Sequence, residues 1–164
     1  MPIGRYENRY IRAAIEPAQG YYELGMFSDA WTALDDLPAQ DKDHPLIIML
    51  RLDILLALHR LDDAVVLGSG ACRQWPVVDG FYIITVAALI GLSEYAKAKD
   101  LLLAAPSSLQ QKASYWYDLS RCQSQTGDVL SARKSLRECI IRNKRFRAKA
   151  LDDPDLEAVW QSLG

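Results

Sequence analysis

The chain has 164 residues, of which half are hydrophobic and 24% charged. That is enough apolar mass for a core and enough charge for solubility, and it excludes a disordered, collagen-like or disulfide-scaffold polypeptide. The formal charge is only −2, from 19 basic and 21 acidic residues, a balance that argues against nucleic acid as a partner. In chain order, residues 1–16 lack clean helical periodicity and are expected to form an extended or partly ordered leader. Pro17 reads as a first-turn proline, the one helical position where a missing N–H is harmless, so a first helix is expected from Pro17 to Gly25. Pro45 and Pro154 should likewise open helices, capped by Asp43 or His44 and by Asp153. In the tail, Leu156, Val159, Trp160 and Leu163 fall on one face and Asp155, Glu157 and Gln161 are expected to point outward.

An internal period organises these elements. Phe27, Leu61, Tyr95 and Val129 are spaced by 34 residues, and so are Ala30, Ala64, Ala98 and Ala132. Four units starting at residues 11, 45, 79 and 113 account for residues 11–146. Each reads as two amphipathic helices with apolar residues every three or four positions. The small alanine on the second helix lets the first approach closely, and the larger residue three positions earlier fills the space beside it. No unit can bury its apolar face alone, so neighbours must stack into a continuous core.

A 34-residue period with a large apolar residue followed three positions later by alanine resembles the tetratricopeptide family. The fourth unit carries the pattern best, with Trp116, Leu119, Gly127, Ala132 and Leu136. Departures are His59 and Ser93 at the turn glycine and Gly68 at a large position. The resemblance implies an all-α, right-handed solenoid of four helix-turn-helix repeats with a C-terminal capping helix. The expected organisation is a leader (1–16), an array over 17–150 built from units 11–44, 45–78, 79–112 and 113–146, and a cap over 151–164.

Candidate chemistry is sparse. The two histidines, His44 and His59, neighbour no serine or cysteine suited to nucleophilic catalysis. The pairs Asp35-Asp36, Asp62-Asp63 and Asp152-Asp153 lie at helix ends and turns, where capping explains them better than acid–base work. Gly68-Ser69-Gly70 sits within a second helix with no strand before it, so close helix packing explains it better than phosphate binding. Cys72, Cys122 and Cys139 are far apart, with neither disulfide nor metal-ligand spacing. No catalytic residue, metal or cofactor is expected. The N-terminus lacks a secretory signal, and the longest apolar run, Leu46–Leu58, is interrupted by Arg51 and Asp53; a cytoplasmic location is expected.

Two surfaces remain. The family resemblance places the partner-binding positions on the first helix of each unit, here Gln19 and Tyr22, Met49, Asp53 and Leu56, Ile83, Ala87 and Ile90, and Tyr117 and Arg121. The Lys and Asn set with which family members grip a chaperone's terminal carboxylate is missing. The apolar middle of this groove suits an amphipathic helix or an extended apolar peptide of a protein partner, or else the leader or a second copy of the chain covers it. The oligomeric state is open between monomer and homodimer. The second surface is a basic run: Arg133, Lys134, Arg137, Arg142, Lys144, Arg145, Arg147 and Lys149 face only Glu138 across 17 residues, a net +7, while the rest of the chain, with 11 basic and 20 acidic residues, carries −9. With Ile140, Ile141 and Phe146 interleaved, this run suits an acidic filament surface or a peripheral contact with the inner face of an anionic membrane; the competing reading keeps the isoleucines in the core and the charges in water. Layout, length and basic stretch resemble the bacterial kinesin light chains, a resemblance that implies a cytoskeletal linker beside bacterial tubulins. The expected function is a non-catalytic adaptor.

Overall fold

The computed structural model describes residues 5–162, so the expectation for Leu163 lies outside the described residues. The described chain is helical, with no strand among its residues. Helices α1 (Arg5–Glu23) and α2 (Phe27–Asp35), α3 (Pro45–Ala57) and α4 (Leu61–Gln74), α5 (Asp79–Gly91) and α6 (Tyr95–Leu103), and α8 (Ala113–Gln125) and α9 (Val129–Arg142) form four antiparallel pairs. A single-turn α7 (Ser107–Gln110) links the third pair to the fourth. Beyond α9 come α10 (Phe146–Leu151), a 3-10 turn (Pro154–Leu156) and α11 (Glu157–Gln161).

The four intra-pair turns repeat one geometry. Gly25, His59, Ser93 and Gly127 take φ values of 75°, 54°, 59° and 86°. Each donates its N–H three residues back, and the following residue donates five residues back; Gly25 reaches Tyr22 and Met26 reaches Tyr21, at 3.0 and 2.9 Å. This nested pair of bonds closes the orphan carbonyls of the first helix and needs a left-handed residue at its centre. His59 and Ser93 therefore meet the same backbone demand as the glycines, at a steric cost. Replacing Ser93 with glycine is expected to raise stability by about 0.5–1 kcal/mol, read as a higher urea midpoint with an unchanged slope. A fall in the midpoint would show that the serine side chain holds the turn.

Phe27, Leu61, Tyr95 and Val129 each open the second helix of a pair. Ala30, Ala64, Ala98 and Ala132 are completely buried, as the period requires. The core is a chain of three clusters: one built on Ile11, Ile15, Leu34 and Ile47, a central one on Leu52, Phe81, Val86 and Leu102, and a last one on Tyr117, Leu136, Cys139 and Leu156. Neighbours share a seam and no single centre exists, as stacking predicts.

The N-terminal expectation is corrected. Residues 5–16 are helical and Pro17 lies inside α1. Ile11, Ile15 and Ala18 recur at helical spacing and are almost fully buried in the cluster they share with Ala30 and Leu34. Two buried isoleucines contribute roughly 3–6 kcal/mol, which offsets the ~3 kcal/mol that an interior proline costs. His44, not Asp43, caps α3, its Nδ1 accepting the Leu46 N–H at 3.2 Å. At the other end Asp153 accepts the Asp155 N–H at 2.9 Å, as expected of a cap. The tail helix, however, is split into the 3-10 turn and α11, and α10 precedes it without a sequence signal.

Candidate functional site

The first helices α1, α3, α5 and α8 carry the expected binding positions. On α1, Gln19 is exposed, while Tyr22 is half-buried with its ring 5.5 Å from that of Phe27. On α3, Met49, Asp53 and Leu56 are half-buried, and burial pushes the Asp53 pKa up. Met49 reaches α5 at Gly80, where an added Cβ would come within 2.6 Å of its terminal methyl. On α5, Ile83 remains 41% exposed and Ala87 is exposed, but Ile90 is turned into the core. Of these, Ile83 and Ala87 on α5 face solvent, Met49 and Leu56 on α3 pack partly against the central cluster, and Asp53 is a partly desolvated charge on α3.

The α8 end of this face is not open. Tyr117 is only 1% exposed: the Phe146 ring lies 5.0 Å away, and the Lys149 Nζ sits 4.6 Å from the Tyr117 ring centroid. Its hydroxyl donates to Asp153 Oδ2 at 2.5 Å. Arg121 binds Asp153 Oδ2 through Nε at 3.1 Å, Asp155 Oδ2 through Nη2 at 2.7 Å, and Asp118 Oδ1 at 3.5 Å. Tyr95 donates to Asp155 Oδ1 at 2.7 Å, and Gln125 donates to the Asp155 carbonyl at 3.0 Å. The expected outward direction of Asp155 is therefore reversed, because four side-chain donors converge on this turn.

The electrostatics follow from that crowding. Burial, reinforced by the bond to Asp153, raises the Tyr117 pKa well above the usual phenol range. Burial also works against the Arg121 charge, but Asp153, Asp155 and Asp118 more than offset it and hold the guanidinium charged. Asp118 is pushed up by burial, against the pull of Arg121. The Cys122 and Cys139 thiols are pushed up by burial to about 12 and about 11, which leaves them protonated and unreactive at neutral pH.

The basic run divides into three. Arg133, Lys134 and Arg137 border an apolar groove of about 490 Å³ on α9 and α11, together with Leu130, Ile141 and Trp160. Leu130 and Ile141 are 72% and 64% exposed, whereas Ile140 is half-buried in the last cluster. Arg142 pairs with Glu138 and lies 5.2 Å from the Trp116 ring, and Lys149 is used against Tyr117 as above. Lys144, Arg145 and Arg147 are exposed around the α9–α10 turn. Among the described residues no helix is long and apolar enough to cross a membrane.

Paired antiparallel helices in 34-residue register, with one left-handed turn repeated four times, define a tetratricopeptide-like helical-repeat solenoid. The same fold is found in MamA from Desulfovibrio magneticus RS-1 (the structure from residue 41 to the end), with a TM-score of 0.74 at 15% identity over 82% of this chain and 76% of that one. The MamA RS-1 ArsTM double mutant matches at a TM-score of 0.75 and 14% identity, over 92% of this chain and 93% of that one. A point mutant of MamA matches at 0.69 and 12%, over 96% and 94%. No protein-family model matches the sequence, and no curated protein matches it.

Proposed function

We propose that the chain is a non-catalytic scaffold that holds a protein partner against the first helices of its second and third units. One observation carries the reading. Helix α5 is apolar almost throughout, yet beyond Gly80, where Met49 of α3 packs, it turns Ile83 and Ala87 to solvent rather than presenting polar side chains there. An exposed apolar strip rimmed by one carboxylate fits the apolar side of an amphipathic helix or an extended apolar peptide. Affinity capture from the native cell tests it, with Met49→Glu combined with Ile83→Glu as the comparison. The variant is expected to lose the captured partner by at least about tenfold, an effect of 1.4 kcal/mol or more, with unchanged helical circular dichroism. Undiminished capture would contradict the proposal.

A second reading draws on the exposed Lys144, Arg145 and Arg147 next to the basic-rimmed α9 groove: a linker of the bacterial kinesin light chain kind, resting on an acidic filament or anionic membrane. Co-sedimentation with bacterial tubulin filaments and with phosphatidylglycerol vesicles tests this. Binding should fall with added salt and vanish when the three residues are replaced by serine. Salt-independent binding would contradict it.

A further inference from the structure

We infer that α8 carries a receptor for an acidic segment with two carboxylates two residues apart, and that the chain's own Asp153–Leu156 occupies it as a displaceable internal ligand. The inference rests on the reading of the first-helix face as the binding surface. Tyr117, Arg121 and Gln125 stand four residues apart on α8 and so line one face. Together with Tyr95 they read the segment in three ways. The carboxylate of Asp153 takes Tyr117 and Arg121 at 2.5 and 3.1 Å, and that of Asp155 takes Tyr95 and Arg121 at 2.7 Å each. The Asp155 backbone carbonyl takes Gln125 at 3.0 Å. Leu156 then enters the last core cluster and is fully buried.

Sealing the open end of a solenoid needs only apolar cover with a polar outer face. This contact has instead the composition of peptide recognition: charge-assisted bonds to a guanidinium, a backbone bond, and an apolar anchor. The occupant is also a short piece of chain, a 3-10 turn between helices of six and five residues. Asp118 adds a third carboxylate around the same guanidinium, 3.5 Å from it, which opposes the two that the segment brings. A tethered segment works at a high effective concentration, so the intact chain hides the site from weak competitors. A partner offering the same paired carboxylates and apolar anchor would release residues 152–161 as it binds.

The probe is a fluorescein-labelled, N-acetylated peptide with the sequence of residues 151–162, read by anisotropy against the full-length chain. The chain carrying Asp153→Ala and Asp155→Ala is expected to bind it at least about tenfold more tightly than the unaltered chain. Adding Arg121→Ala to that variant should abolish binding, and so should replacing both peptide aspartates by asparagine. Equal binding to the two chains, or binding that ignores Arg121, overturns the inference. If the double variant loses helix content, Asp155→Asn alone keeps the shape, removes one ion pair, and decides in the same way. Neither Met49 nor Ile83 enters this assay, so its failure leaves the adaptor reading standing, whereas loss of capture through those two residues is tested separately.

Discussion

Replacing Gly68 with alanine is expected to destabilise the protein by about 2 kcal/mol, the middle of the range for inserting a methyl into a packed interior. Gly68 lies in α4 where it meets α5, and an added Cβ would stand 2.0 Å from Thr85 Oγ1 and 3.1 Å from Thr85 Cβ. Thr85 cannot step aside easily. It is completely buried, and its hydroxyl donates to the Phe81 carbonyl at 2.6 Å. Alanine's better helix propensity returns up to about 1 kcal/mol, so the steric term must prevail. Thr85→Ala removes the atom that clashes most, and the pair of changes should therefore recover more than 1 kcal/mol of the loss, a coupling that a double-mutant cycle in urea resolves. A neutral or stabilising Gly68→Ala would mean that α4 and α5 are farther apart than the structure places them.

Arg121→Ala is expected to cost about 3 kcal/mol, because breaking a buried ion cluster from one side strands the charges that remain. Arg121 is the shared partner of Asp118, Asp153 and Asp155, with its side chain 24% exposed. Solvent reaches part of it, which places the loss at the low end for buried pairs. The effect should be local first. Amide hydrogen exchange is expected to speed up in residues 153–161 before it changes in α3 to α6, since the segment loses its clamp while the central cluster is untouched. Uniform acceleration along the chain would instead make Arg121 a general core residue.

The architecture was legible in the sequence because its cause is periodic. The alanines at 34-residue intervals mark the close helix contacts, and Gly68 in a second helix already pointed to a neighbour too near for a side chain. His59 and Ser93 look like departures in sequence, yet the backbone keeps its left-handed turn there, held by bonds that do not depend on the side chain. Pro17 misleads for the opposite reason. Local chemistry favours a helix start at proline, while Ile11 and Ile15 upstream gain enough by burial to carry the helix through it.

The candidate site was legible only in part. The first-helix positions follow from the family resemblance, and the structure leaves Ile83 and Ala87 exposed on α5 and Met49 half-buried on α3. Asp153 and Asp155, which close the α8 end, lie 30 or more residues from the side chains they bind, in a turn too short to have a period. Tyr95 is marked in sequence only as the apolar residue of the 34-residue period and Gln125 not at all, so the four donors become a set only in three dimensions. The basic run was visible as a count, and a count has no direction. Helical geometry divides it, putting Arg133, Lys134 and Arg137 beside Leu130 and Ile141 while turning Arg142 and Lys149 onto aromatic rings.

A photo-crosslinking amino acid placed at Ile83, compared with one at Val66, tests the central claim most directly. Both positions carry exposed apolar side chains, 41% and 75% exposed, but only Ile83 lies on a first helix, α5, whereas Val66 lies on the second helix α4. The partner should be crosslinked from position 83 and not from position 66. Crosslinking from position 66 alone would contradict the assignment of the binding surface.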